Sequence, residues 1–461
     1  MKPVSFVAWA TMATSVHCCH FDYVATEKMI KEKRATDSSG SETDSVDSSH
    51  TVFGLDLDAE KAKLLPISQR DRFTLAAPFG LSTLMDVNYK FDAQMNMAEI
   101  YSSMIHFHKS KHAGLFKMPN PTAEGRDVYG LRIFPKEVVE SERSPSDYKV
   151  MFVTQMHPRE RGTADSMIMF LNDLFWAVEA GIGLDYGTVQ YSAEDVKKVL
   201  NLGMVVILAP NPDGLNWDEE NGDCWRKNRN PKHMKPQDGR SIGVDLNRNF
   251  GFLWDYKRFF VNGYTTTSDN PSSDVFYGDF PESEAEVKNI EWAMFEHPGI
   301  THFADIHSYG NLVMYPWGHS KSQTSNPGTS MMNMLWNGYR GNEKYGEYML
   351  QRDLNYLTEL SQGIAQRVSE ATQTKITATP AVDVYPVSGD AMDFFQALHY
   401  DNKKRRPIHS LQFEIGSPND GWPFCPFYPT AEHYRQRIHQ GAITYMEFLL
   451  KVVEHTERGL M

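Results

Sequence analysis

Two kinds of hydrophobic pattern alternate along this chain. Val128 to Phe134, Lys149 to Met156, Met204 to Ala209, Ile300 to Ile306 and Ile408 to Phe413 are short and apolar or β-branched, as strands covered on both faces of a sheet are. Met167 to Ala180 instead has the period and length of a helix, and Gly181 closes it. Ser283 to Glu296 reads as a second helix, with acidic residues in its first turn and His297-Pro298 after it. A third helical pattern runs from Arg435 to Val453. Strands and helices in alternation predict an α/β fold built on a mixed sheet. Asn211-Pro-Asp-Gly214 carries turn residues and is read as a turn.

Composition narrows the classes. The chain has 461 residues and a formal net charge of −13, which argues against nucleic acid as the main partner. Hydrophobic residues make up 41% and aromatics 12%, enough for a large core, so disorder throughout is excluded. Length allows one or two domains. No run of about 18 apolar residues predicts an integral membrane span, and no repeat of about 20 to 50 residues marks a solenoid. Four cysteines without a CxxC pair predict neither a disulfide scaffold nor a structural zinc site, so any metal must use His and carboxylates.

Lys2 and the mostly apolar stretch from Val4 to Val16, with Ala13 and Ser15 near a cleavage point, form a weak secretory-signal pattern over residues 1–20. It predicts a secreted, extracellular or vesicular protein. Cys18 and Cys19 would then be lost or terminal, leaving Cys224 and Cys425 in the body, and the sequence does not decide whether these two pair. Thr36 to Thr51 is rich in Ser, Asp, Thr, Glu and Gly and is read as a disordered linker.

The predicted strand Lys149 to Met156 runs into His157-Pro-Arg-Glu160. A His and a Glu three apart at a strand end can grip a divalent metal from one side. With 17 histidines in the chain, the same spacing also arises in ordinary surface loops, so a second His is needed. The predicted strand Ile300 to Ile306 supplies it, because His307-Ser-Tyr309 follows at the end where open α/β sheets place ligands. Two imidazoles and one carboxylate with an open fourth position are the catalytic pattern of zinc ligation.

At these residues the chain resembles the zinc carboxypeptidases of the A/B family, which remove single residues from peptide C-termini. The match runs from about Tyr89 through Glu99-Ile-Tyr101, Glu124-Gly-Arg126, His157-Pro-Arg-Glu160, Asn211-Pro-Asp-Gly214, Trp225-Arg-Lys227 and Gly243-Val-Asp-Leu-Asn-Arg-Asn-Phe250. It continues through His307-Ser-Tyr309, Tyr315-Pro316, Tyr385 and Ser388-Gly389 to Phe413-Glu414, all in the family's order. The resemblance implies a single catalytic domain over 87–456, with a mostly parallel, twisted sheet and helices on both faces. Residues 21–86 are left as a disordered or reduced pro-segment, and no appended β-sandwich is expected.

The resemblance also implies roles. His157, Glu160 and His307 would hold one Zn2+, with Asp245 orienting an imidazole. Glu414 would be the general base, and Arg226 would polarise the scissile carbonyl. The base assignment agrees with strand alternation: Leu411 and Phe413 point one way, while Ser410, Gln412 and Glu414 point the other. Asn247, Arg248 and Tyr385 would grip the substrate's terminal carboxylate, a task suited to a planar guanidinium, and Arg159 would contact the peptide further along.

Specificity is argued from neighbouring positions. Met392 stands where basic-specific digestive members carry an acid, which favours apolar C-terminal residues, and Val384, Val387, Gly318, Met314 and Gln412 align with other pocket positions. Asp390 lies in the same loop and adds tolerance for Lys or Arg. Two departures stand out: Arg161 replaces a Trp found in many members, and His319 to Lys375 is longer than in digestive members, so it is expected to narrow or cover the cleft. Two further classes stay open, a zinc hydrolase of small acylated amino acids or cell-wall peptides, and an inactive peptide-binding relative.

Overall fold

The structure is a computed structural model, which describes residues 51–52, 55–56, 63–73, 84–86, 89, 91–135, 142–401, 406–417, 421–422 and 424–458. The signal pattern at 1–20 and all but the last residue of the 36–51 linker lie outside the described residues. The chain divides into two units, Met1–Lys63 and Leu64–Met461. In the first, Thr51–Val52 pairs antiparallel with Leu55–Asp56. The second carries the site.

Eight strands form its sheet: β1 Ala113–Lys117, β2 Tyr129–Ile133, β3 Val150–Thr154, β4 Met204–Ile207, β5 His302–His307, β6 Leu312–Tyr315, β7 Thr377–Pro380 and β8 His409–Glu414. Their order across the sheet is β7-β6-β8-β5-β3-β4-β2-β1. The four central strands β8, β5, β3 and β4 run parallel, while β6 against β8, β2 against β4 and β1 against β2 are antiparallel. This is the mixed sheet expected from the strand patterns, and mostly parallel as the family resemblance implies.

Alternation along the strands builds two cores. Val150, Phe152, Ala304, Ile306, Leu411 and Phe413 face one side, where they pack with α2 (Thr163–Ala180), α6 (Gln351–Thr372) and α8 (Ala431–Glu457). Met151, Val153, Val205, Ile207 and Phe303 face the other, against α5 (Ala285–Glu296) and α7 (Ala391–Asp401). The period of two places Asp305, His307, Gln412 and Glu414 on this second face. Burying each large apolar side chain contributes roughly 1.5–3 kcal/mol, so a register slip that exchanged the two faces would forfeit both cores.

Two features depart from the local patterns. Asn211-Pro-Asp-Gly214 is not a free turn but the start of α4 (Pro212–Asn221), where Asn211 caps the Gly214 amide and Pro212 stands in the first turn. Turn and helix-start chemistry use the same residues. Within 64–86, Leu65, Phe73 and Leu84 are buried in the first core, the Leu84 amide donates to Asp173, and Arg72 pairs with Glu99. The packed unit thus begins at Leu64, upstream of residue 87. Leu65, Phe73 and Leu84 join a core to which α1 (Met97–His108) and α2 also contribute.

Among the described residues no helix is long and apolar enough to cross a membrane. A disulfide joins Cys224 and Cys425, which settles the pairing that the sequence leaves open.

Candidate active site

The cleft forms where the parallel strands end. β3 stops at Thr154, and Gln155 turns the chain with a φ of 53°, a conformation that costs a non-glycine residue energy. Side-chain bonds hold the turn: the Gln155 amide accepts from Thr163 and donates to the Pro158 carbonyl, while the Asn211 amide donates to the Met156 carbonyl. His157 and Glu160 lie in this loop. His307 is the last residue of β5, and Glu414, the last of β8, pairs with it in register. Two strand ends and one braced loop therefore converge.

Their side chains meet. Glu160 Oε1 lies 2.7 Å from His157 Nδ1 and Glu160 Oε2 lies 2.7 Å from His307 Nδ1, with the two Nδ1 atoms 3.1 Å apart. All three residues are buried. Their ligand atoms lie within 4.8 Å of one another, the group among the described residues that could hold a metal ion. The second ring nitrogens are backed by carboxylates: His157 Nε2 is 3.0 Å from Asp245 Oδ1, and His307 Nε2 is 2.8 Å from Asp305 Oδ2. A carboxylate on Nε2 fixes the proton there and leaves the Nδ1 lone pair facing the common point. The donor set thus suits zinc.

Electrostatics follow from burial. Desolvation alone would raise Glu160, but the two imidazoles hold it well below the usual carboxylate range. Desolvation lowers His307, and Asp305 and Glu160 together lift it above its ordinary value. Glu414 is pushed up to about 8 by burial, with His307 opposing and Glu160 adding. Gln412 donates to Glu414 Oε1 at 3.0 Å.

The remaining lining completes a cleft formed by His157, Glu160, Arg226, Asn247, Arg248, His307, Met314, Ala381, Val384, Tyr385, Val387, Asp390, Met392, Gln412 and Glu414. Arg226 is held by Asp245, Nε to Oδ2 at 2.9 Å. Arg248 is buried, donates to the Asn247 carbonyl at 2.6 Å, and has an unpartnered Nε. Asn247 turns its amide inward, donating to Asp305 at 3.1 Å and accepting from the Ala391 amide at 2.8 Å. Gly389 permits the close fit here: a Cβ would stand 2.4 Å from the Arg248 carbonyl, and its φ is +71°. Asp390 is buried with Oδ2 unpartnered, and burial beside Asp393 pushes it up to about 8.

Three positions lie elsewhere. Arg159 is outside the lining; it pairs with Asp274 at 2.8 Å and stacks 4.3 Å over the Phe427 ring. Gly318 sits behind the pocket, its amide bound to Asp393. No residue of 319–375 lines the cleft, against the expectation that this stretch narrows or covers it; residues 351–372 of it form α6, packed on the first core. One site residue is new: Asp305 is two before His307 on the same strand face, so period-two alternation alone could have marked it as a partner of the imidazole.

A buried pair of imidazoles sharing one carboxylate, with a further carboxylate and a guanidinium on the same cleft, is the constellation of a mononuclear metallohydrolase. Residues 105–439 match the profile of the zinc carboxypeptidase family, peptidase M14, and the chain belongs to that family. It is 26% identical over 342 residues to mouse carboxypeptidase A2, covering 73% of this chain and 64% of that protein. It is 29% identical over 217 residues to the inactive metallocarboxypeptidase ECM14 of Arthroderma otae, 46% of this chain and 32% of that protein. The crystal structure of carboxypeptidase A from Helicoverpa armigera superposes with a TM-score of 0.57 at 20% identity, covering 86% of this chain and 80% of that one, which supports the fold. The chain spans 43% of mouse carboxypeptidase A4 and 64% of carboxypeptidase A2, less than two thirds of either.

Proposed function

We propose that this protein is a zinc-dependent exopeptidase that hydrolyses the C-terminal peptide bond of peptides or proteins. The observation that carries the reading is the convergence of His157, Glu160, His307 and Glu414 on a cleft that also presents a buried guanidinium with an unpartnered nitrogen, Arg248. His157, Glu160 and His307 are the proposed ligands. When bound, zinc supplies a Lewis acid that polarises a carbonyl and acidifies water.

The chain's own groups supply the rest. Glu414 takes the proton of the attacking water and passes it to the leaving amine, while Gln412 keeps its carboxyl in place. Arg226, fixed by Asp245, faces the oxygen on which negative charge develops, where a preorganised cation contributes most. Arg248 accepts the substrate's terminal carboxylate, since a desolvated guanidinium binds it through paired hydrogen bonds. Tyr385 closes on the same carboxylate. Asn247 acts on Arg248 and Asp305 from behind, and Arg159, committed to Asp274, contacts peptide only at the rim.

The side-chain pocket follows from its walls. Met314, Ala381, Val384, Val387 and Met392 favour hydrophobic or aromatic C-terminal residues, and Asp390 gives some tolerance of Lys or Arg. The Cys224–Cys425 disulfide fits an oxidising compartment, which supports a secreted or vesicular protein.

Blocked dipeptides ending in Phe, Leu, Lys or Glu, assayed with and without a zinc chelator, test the reading. Chelator-sensitive release of the free C-terminal residue, with Phe and Leu preferred, is expected. Silence from a folded, zinc-loaded sample that still binds such peptides would favour the inactive peptide-binding class; one relative, from Arthroderma otae, is named an inactive metallocarboxypeptidase. Turnover of acylated amino acids alone would favour the small-substrate hydrolase.

A further inference from the structure

Arg161, which follows the ligand Glu160 directly, is buried and so is its partner Asp218, at the end of α4. Arg161 Nε and Nη2 reach Asp218 Oδ2 at 3.0 and 2.6 Å, and Nη2 also donates to the Asp218 carbonyl at 2.8 Å. The other carboxylate oxygen takes two donors of different origin: the Trp225 amide at 2.7 Å and the Tyr428 hydroxyl at 2.5 Å. That hydroxyl in turn accepts from the Cys224 amide at 2.9 Å. The Trp225 carbonyl receives the Arg159 amide at 2.9 Å, and Cys224 is bridged to Cys425. Every bond in the set ends on the two residues that precede Arg226, on the loop that carries Glu160, or on the strand Cys425–Pro429.

The geometry points to Asp218 as a positioning residue that holds the backbone of Arg226 in register with the loop carrying Glu160. Both oxygens of one carboxylate are used, each on a different side: Oδ2 on the loop, Oδ1 on the Cys224-Trp225 segment. Asp245 orients the guanidinium, but it sets the head of a long side chain; where that side chain starts is set by Cys224 and Trp225. A buried Arg–Asp pair joined through both Nε and Nη2 is held in one geometry, and removing one partner leaves an uncompensated charge. The tyrosine hydroxyl and the disulfide tie the same segment to a third element.

This rests on the role proposed above for Arg226, so the test has one arm that does not depend on turnover. Asp218→Asn and Tyr428→Phe are made in the full chain, alone and with Arg226→Ala, and zinc content, amide exchange and kinetics on a Phe-terminal blocked peptide are measured. The Cys224 and Trp225 amides lose protection in both variants while one zinc per chain is retained. kcat falls ~10- to 100-fold for Asp218→Asn, as a displacement of about 1 Å at a reacting group can cause, and less for Tyr428→Phe, with KM near the parent value. In the Arg226→Ala background the same changes have no further effect on kcat. Equal losses with and without Arg226, a change confined to KM, or unchanged exchange at Cys224 and Trp225 would each overturn the proposal. If Asp218→Asn does not fold, Tyr428→Phe, which keeps the ion pair, carries the test. A parent chain without turnover would instead sink the exopeptidase reading, and the exchange arm would still decide whether Asp218 holds the segment.

Discussion

The two halves of the cleft treat their polar groups in opposite ways. Around Glu160 the groups are spent on one another: both nitrogens of His157 and His307 face carboxylates, and Arg226 is bound to Asp245. Around Met392 the walls are apolar, and Asp390 Oδ2 and Arg248 Nε, both buried, have no partner among the described residues. An unpaired buried polar atom costs about 1–3 kcal/mol, a deficit that a ligand group placed there removes. On the proposed exopeptidase reading, the first half is preorganised for chemistry, and the second is left open for recognition. Mutations in the first should lower kcat for every substrate, and mutations in the second should re-rank substrates.

Metal removal is the most severe way to test that division. A chelator should abolish turnover of all C-terminal residues alike, and added zinc should restore it; unchanged rates after verified zinc loss would break the reading of the first half. Glu414→Gln should come next, lowering kcat ~10²- to 10⁴-fold, as loss of a general base does, with zinc content intact. Arg226→Ala should cost kcat ~10²- to 10³-fold, the range for one oxyanion partner, measured on Phe- and Lys-terminal substrates with the same ratio for both.

The smallest effect sharpens the second half. Asp390→Ala should lower kcat/KM for Lys-terminal peptides ~10-fold and leave Phe-terminal peptides near the parent value, in keeping with the worth of one pocket contact; equal loss on both would remove Asp390 from specificity. Because burial, reinforced by Asp393, raises the Asp390 carboxyl to about 8, it is protonated below that pH and ionised above. The Lys-to-Phe ratio should therefore rise as pH increases through about 8 and stay flat in the variant.

How much of this was readable beforehand depended on how local each signal is. The strands β3, β5 and β8 announced themselves because each is a short apolar run, and the side-chain period of two then fixed which face Glu414 and His307 share. Asp305 was equally legible by that period, yet a lone acid before a ligand carries no local mark. Asn211-Pro-Asp-Gly214 misled because caps and turns draw on the same residues. Arg159 matched by position, but its partners Asp274 and Phe427 come from distant segments, and it lies outside the cleft lining.

What the chain determined by itself was the patterns of β2, β3, β4, β5 and β8, the helices α2, α5 and α8, and the spacing of His157 and Glu160 at a strand end, since each rests on neighbours within a few residues. Tertiary structure alone decided the rest: the pairing of Cys224 with Cys425, the burial of Leu65 and Phe73, and the ion pair that Arg161 makes with Asp218. Each of these joins groups far apart in sequence, and whether two such groups meet depends on the packing of both faces of the sheet rather than on any property of either residue alone.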